Sequence, residues 1–199
     1  MRSFIRWFLA AVTPVFILVP MALFAGTGRE VRPPFGMVWG LGFQSVEESI
    51  KSAGGHVVER LPAGAGVERW SAGGIPQEGL QSAIFTFQGG RLAGVEVQYG
   101  SDEWDTPMYD EFMRRVRAGL DAEYGSGRLL VRQRIPGARV LKTMVGYSWE
   151  GGAQSVALIY FAAQDEENLF RLVSLHYTAK PPRASVRTVR KSSQGHRGE

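Results

Sequence analysis

Cysteine is absent from the 199 residues of this chain. A domain without cysteine cannot be cross-linked by disulfides, so its stability has to come from a packed core. The same absence excludes a thiolate metal site and the lipid-modified cysteine that anchors a lipoprotein. A hydrophobic fraction of 44% with 11% aromatic residues is sufficient for such a core.

The common sequence signatures of catalysis are missing as well. There is no G-x-S-x-G or S-x-x-K motif and no phosphate-binding glycine loop. The three histidines, His56, His176 and His196, show no metal-ligand spacing, and we interpret them as solvated or structural. No catalytic residue, cofactor-binding residue or metal ligand is therefore assigned, and the sequence does not favour an enzyme.

The net charge of +4 is distributed unevenly along the chain. Residues 1–32 carry a net charge of +3 and residues 180–199 carry +5, which leaves −4 for residues 33–179. The basic isoelectric point thus comes from the two ends, whereas the central part is mildly acidic. Nucleic-acid binding is disfavoured, because it needs a basic surface on the folded part.

The N-terminus predicts a membrane segment. Arg2 and Arg6 precede 22 uncharged positions, residues 7–28. At about 1.5 Å per residue, such a helix could cross a hydrocarbon core of roughly 30 Å with the N-terminus in the cytoplasm. Residues 1–28 are therefore predicted to be a signal anchor or a signal peptide. Cleavage after Ala25 is left open, so the protein would be single-pass in the inner membrane or, if cleaved, periplasmic.

The rest of the chain predicts one exported α+β domain. Residues 29–34 are interpreted as a linker, residues 35–179 as the domain and residues 180–199 as a basic disordered tail. Elements follow the order helix, strands, helix, strands, with Ser45 expected to cap the first helix and Thr106 the second. We expect an antiparallel sheet of about five to seven strands, two helices packed on one face, and a preceding N-terminal hydrophobic helix.

Two fragments resemble a known group of proteins. Residues 35–40 followed by Ser45-Val46-Glu47-Glu48 are similar to the start of many small exported bacterial domains. Residues 85–99 and then 109–125 resemble the hairpin-then-helix unit of the same group. It includes the SmpA/OmlA outer-membrane assembly lipoproteins and the β-lactamase-inhibitor-protein-like fold. The resemblance implies a helix-on-sheet domain that binds proteins or envelope components, although the lipoprotein cysteine is lacking.

A few side chains suggest an interaction surface. Trp70 and Trp104 lie near predicted loops, and tryptophan is enriched at protein interfaces, although core packing would explain both rings. The basic stretch holding Arg128, Arg132 and Arg134 could contact an anionic lipid, a glycan or an acidic partner. Charges that protect an edge strand would explain it equally well.

The resulting hypothesis is a non-enzymatic protein-interaction domain of the cell envelope, either membrane-tethered or periplasmic. Its expected partners are the membrane, through the N-terminal segment, and an envelope protein. The C-terminal tail could also contact anionic lipid. The alternative is an envelope hydrolase or a small-ligand-binding module whose site has no recognisable motif.

Overall fold

A computed structural model describes residues 29–137 and 139–179 of the chain. Two helices and eight strands follow one another within these ranges. In chain order they are α1 (Phe43–Ser52), β1 (His56–Gly64), β2 (Val67–Gly73), β3 (Leu80–Gln88), β4 (Arg91–Tyr99), α2 (Thr106–Tyr124), β5 (Arg128–Pro136), β6 (Leu141–Gly151), β7 (Gln154–Gln164) and β8 (Leu169–Ala179).

All eight strands form a single antiparallel sheet in the order β1-β2-β3-β4-β8-β7-β6-β5. The chain is therefore built from two halves of the same design, each a helix followed by a four-stranded meander. The halves join where β4 pairs with β8, with Val95 opposite Tyr177 and Val97 opposite Leu175. This arrangement leaves β1 and β5 as the two edges of the sheet.

The expected count of five to seven strands is wrong, because the sheet has eight. The strand without a clear sequence signal is β5, in which only Val131 is even partly buried. An edge strand with both faces largely in solvent has no reason to alternate apolar and polar residues. Its sequence, Arg-Leu-Leu-Val-Arg-Gln-Arg-Ile-Pro, accordingly lacks the period of two that identifies a half-buried strand.

The prediction of a transmembrane helix, and with it of a single-pass inner-membrane protein, is corrected by the structure. Within residues 29–137 and 139–179 no helix is long and apolar enough to cross a membrane. Helix α1 has only 10 residues, and the 19 residues of α2 include seven charged side chains. The predicted N-terminal hydrophobic helix and the predicted basic tail fall on residues 1–28 and 180–199, which lie outside the described residues.

Both helices pack on the same face of the sheet, which we call the helix face. In α1, Phe43 stacks on Trp70 at 5.1 Å between ring centroids and contacts Phe87 at 4.6 Å. In α2, Phe112 contacts Tyr99 at 5.0 Å. The packing of Phe43 explains why α1 begins at this residue, with Gly42 at its N-cap, and not after Ser45 as predicted.

Helix α2 begins where the sequence indicates, but with a different cap. The carboxylate of Asp105 accepts a hydrogen bond from the Met108 N–H at 2.9 Å, so Asp105 replaces the predicted Thr106 as the capping residue. Three of the residues that α2 buries against the sheet are Tyr109, Phe112 and Leu120.

The core lies between the helices and the sheet. Its fully buried side chains include Phe85, Phe87, Leu158 and Val173. Val31, in the segment interpreted as a linker, is also fully buried, and its carbonyl accepts a hydrogen bond from the Trp39 indole at 2.7 Å.

Candidate functional site

The two tryptophans considered as interface anchors lie in the core. Trp70 is 3% exposed, and its ring packs against the rings of Phe43 and Phe87. Trp104 is 7% exposed and contacts Tyr109 and Phe112 at 5.2 and 5.0 Å. Neither indole is available to a partner, because each ring is already buried by its own domain.

The three arginines of β5 are divided between the two faces of the sheet. Arg132 lies opposite Val145 and Arg134 opposite Thr143, so both are on the helix face. Arg128 lies opposite Ser148, on the other face. The cause is a register shift between Leu129 and Val131: the extra residue of a bulge reverses which side chains point to which face.

The face opposite the helices, which we call the open face, is not covered by any helix in the described part of the chain. Its second half, on strands β5 to β8, combines polar side chains such as Ser155 and Ser174 with a cluster of apolar ones. Cross-strand partners lie side by side on one face. We call the resulting cluster the apolar patch, which consists of Val131, Ile135, Met144, Ile159, Phe161, Phe170 and Leu172.

The members of the apolar patch contact each other across neighbouring strands. Leu172 lies opposite Phe161, which in turn lies opposite Met144. The rings of Phe161 and Phe170 are 6.2 Å apart. A Cβ placed on Gly146 would lie 3.1 Å from Val131 Cγ1 and 3.4 Å from Ile159 Cγ1. Because Gly146 has no side chain, the side chains of Val131 and Ile159 can approach each other across β6.

A chain of polar side chains runs across the centre of the open face, where the two halves join. The Ser82 hydroxyl donates to Gln98 Oε1 at 2.9 Å, and Gln98 Nε2 donates to Glu96 Oε1 at 2.7 Å. Glu96 Oε2 lies 3.6 Å from His176 Nδ1, and His176 Nε2 lies 2.8 Å from the Ser174 hydroxyl.

Ser174, His176 and Glu96 stand in the order nucleophile, base and carboxylate that acyl-transfer enzymes use. Two features weaken a catalytic interpretation. Ser174 is only 6% exposed, and the backbone around it is paired with β4 on one side and β7 on the other. Backbone N–H groups that are hydrogen-bonded to neighbouring strands cannot turn to stabilise an oxyanion.

Alternation in the sequence places the His176 side chain on this face. No sequence pattern indicates that β8 pairs with β4, which brings His176 beside Glu96.

Metal-ligating side chains do not gather elsewhere in residues 29–137 and 139–179: no group of three or more His, Asp or Glu could hold an ion there. No protein-family model, curated protein or solved structure matches the chain. The resemblance drawn from the sequence therefore stays a prediction, and function has to be argued from the side chains themselves.

Proposed function

We propose that this domain is a non-enzymatic binding module that docks a partner protein on its apolar patch. The observation that carries the proposal is a comparison between the two halves of the molecule. In the first half, the open face presents polar residues such as Arg69, Ser71 and Thr86, and the apolar Leu61 and Ile84 lie opposite Arg69 and Ser71. The same four-stranded meander is thus built without an apolar cluster that continues across all its strands, so the fold alone does not require the patch in the second half.

The exposed members of the patch are suited to binding. Phe170 is 55% exposed and Ile135 is 51% exposed, and the other members are partly buried by their neighbours. Burying a large apolar side chain contributes about 1.5–3 kcal/mol, and aromatic residues are frequent among those that dominate interface energies. Contiguous apolar surface of this kind is uncommon on a monomer without a partner.

The charge next to the patch defines the partner further. Lys142 lies between Ala163 and Ile135 in the same row as Phe170, and its side chain is exposed. A matching surface would be apolar with a carboxylate opposite Lys142, because an unpaired ammonium is costly to bury. The expected partner is therefore a protein with an apolar patch that includes an acidic side chain.

The test uses a photo-crosslinking amino acid in place of Phe170, in the cells from which the chain derives. The matched control carries it in place of Val58, which is 65% exposed on the opposite edge strand β1. We expect one protein to crosslink at position 170 and not at position 58. Its affinity for the purified chain should fall at least about tenfold with Ile135→Glu and remain unchanged with Val58→Glu.

Two results would overturn the proposal. One is equal crosslinking at positions 170 and 58, or binding that Ile135→Glu does not weaken. The other is self-association, measured by sedimentation velocity, that Ile135→Glu abolishes, because the patch would then bind a second copy of this chain.

A serine hydrolase is the second candidate function, supported by the 2.8 Å contact between Ser174 and His176 and by the proximity of Glu96. In that reaction the Ser174 hydroxyl would attack an acyl carbonyl while His176 accepted its proton. The leaving group would then depart with that proton from His176, and water would hydrolyse the acyl-serine. A fluorophosphonate probe should then label the wild type and not Ser174→Ala. Absence of labelling in the wild type would rule against this function.

A further inference from the structure

A cleft of about 390 Å³ lies on the helix face, between α2 and strands β6 and β7. The strands contribute Val145, Tyr147 and Tyr160, and α2 contributes Met113 to the wall. The volume is within the roughly 300–1,000 Å³ of pockets that hold small ligands. The cleft is thus an apolar recess on the side of the sheet opposite the apolar patch.

Arginines from α2 line one wall of this cleft. Arg114 and Arg117 lie four and seven positions after Asp110, so all three share one side of the helix. The Arg117 guanidinium carbon is 3.8 Å from the centroid of the Tyr147 ring. Its Nε lies 3.5 Å from the Asp121 carboxylate and is buried without a hydrogen-bond partner. The Nε side of the guanidinium therefore faces Asp121, whereas the ring contact with Tyr147 places the group at the wall of the cleft.

Edge strand β5 adds two more arginines. Arg132 and Arg134 lie opposite Val145 and Thr143, which both line the cleft. Cross-strand partners have Cβ atoms about 5 Å apart on the same face, so the side chains of Arg132 and Arg134 begin next to the cleft, within reach of its opening. Neither forms an ion pair with another residue of ranges 29–137 and 139–179.

The charges around the cleft leave a positive excess. Four arginines of α2 and β5 stand against three carboxylates, those of Asp110, Glu111 and Asp121, and the charge of Arg171 also acts on Tyr160. A positive excess favours an anionic ligand. The Tyr160 hydroxyl is protonated at physiological pH, as in any tyrosine, and burial raises its pKa further.

We infer that this cleft binds a small amphipathic monocarboxylate, with its apolar body against Val145 and Tyr160 and its carboxylate toward Arg117 and Arg132. The apolar recess would hold the hydrocarbon body of the ligand. The arginines would hold its anionic end, because guanidinium groups bind carboxylates through paired hydrogen bonds. This site is independent of the proposed partner surface, since it lies on the other face of the sheet.

The test measures binding of octanoate to the purified full chain by isothermal titration calorimetry, with octan-1-ol and octyltrimethylammonium as probes of equal length. We expect octanoate to bind at least about tenfold more tightly than either, because only the carboxylate is anionic and can accept paired, charge-assisted hydrogen bonds from a guanidinium group. Arg132→Gln/Arg134→Gln, on an exposed strand, and Arg114→Gln/Arg117→Gln should each weaken octanoate at least about fivefold. Arg115→Gln is the matched control, because Arg115 lies on the same helix but pairs with Glu78 away from the cleft.

Methyl NMR locates the site independently of the variants. Met113 and Val145 line the cleft, whereas Met144, next to Val145 in sequence, belongs to the apolar patch on the opposite face. Octanoate should shift the methyl resonances of Met113 and Val145 and leave Met144 unchanged. The inference is overturned if octanoate does not bind, if octan-1-ol binds equally well, if only Met144 responds, or if Arg115→Gln weakens binding as much as the cleft variants.

Discussion

Asp121 connects the end of α2 to the second half of the sheet. Its Oδ1 accepts hydrogen bonds from the Gly127 N–H at 2.7 Å and from the Trp149 indole N–H at 3.0 Å. The indole has a second acceptor, the Gly125 carbonyl, at 2.9 Å. The Asp121 carboxylate therefore fixes the turn between α2 and β5 and the ring of Trp149, which is 3% exposed.

The loss of stability on removing this carboxylate depends on which hydrogen-bond acceptors remain for each of the two donors. In Asp121→Ala the indole keeps Gly125, whereas the part-buried Gly127 N–H loses its acceptor. Hydrogen bonds to a charged group contribute about 1.5–3 kcal/mol, and an unsatisfied donor costs a similar amount. The partly exposed contact with Arg117 adds roughly 0.5 kcal/mol or less. We expect Asp121→Ala to lower the free energy of unfolding by about 2–3 kcal/mol.

Urea unfolding monitored by tryptophan fluorescence measures this change. Asp121→Asn keeps an acceptor oxygen without the charge, so about 1 kcal/mol should be lost. Glu111→Ala is the control on the same helix, because its ion pair with Arg114 is exposed, and it should change stability by less than about 0.5 kcal/mol. The reasoning is refuted if Asp121→Ala lowers the free energy of unfolding no more than Glu111→Ala does. It is also refuted if Asp121→Asn lowers it as much as Asp121→Ala.

Two further substitutions test the helix face. Gly79 and Gly36 both have φ +69°, but a Cβ at Gly79 would lie 2.3 Å from Trp104, whereas Gly36 has open space. Gly79→Ala should therefore be less stable than Gly36→Ala by about 1–3 kcal/mol in urea unfolding, and equal losses would contradict the contact with Trp104. Burial raises the pKa of Tyr177, so above about pH 10 this tyrosine ionises first in the unfolded chain, and the free energy of unfolding should fall as pH rises. Tyr177→Phe should remove part of that alkaline loss in urea titrations at about pH 8 and pH 11, and an unchanged slope would contradict it.

Locally encoded elements could be predicted from the sequence. Alternating residues on either side of Gly89 and Gly90 predict a hairpin within one short stretch, and the structure confirms it as β3 and β4. An apolar stripe at helical spacing after Pro107 predicts a helix, and the structure confirms it as α2. In both cases the interactions that decide the structure are close together in the chain.

Long-range pairing could not be predicted in the same way. The joining of β4 to β8 brings Val95 beside Tyr177, 82 positions away, and no local pattern specifies that contact. The predicted order of helix, strands, helix, strands could not show that both sets of strands share one sheet. Edge strand β5 was not predicted, because neither of its faces is buried enough to require alternating apolar and polar residues.

The candidate sites depend on that long-range pairing as well. Alternation alone places His176 and Glu96 on defined faces of their strands, but only the β4–β8 pairing makes them neighbours. Likewise the bulge after Leu129 decides that Arg128 and Arg132 lie on opposite faces. A bulge depends on pairing with β6, so the division of the arginines could not be derived from their spacing.

The two edge strands of the sheet differ in the sign of their charged residues. An exposed edge can be protected by charge of either sign, by bulges or by proline. Strand β1 combines Glu59 and Arg60 with two register shifts and Pro62. Strand β5 carries three arginines, no acidic residue and one register shift. Edge protection explains why both strands are charged, but it does not require a single sign. The two arginines on the helix face lie opposite residues that line the cleft, so the inferred anionic ligand would account for the single sign of charge that edge protection leaves unexplained.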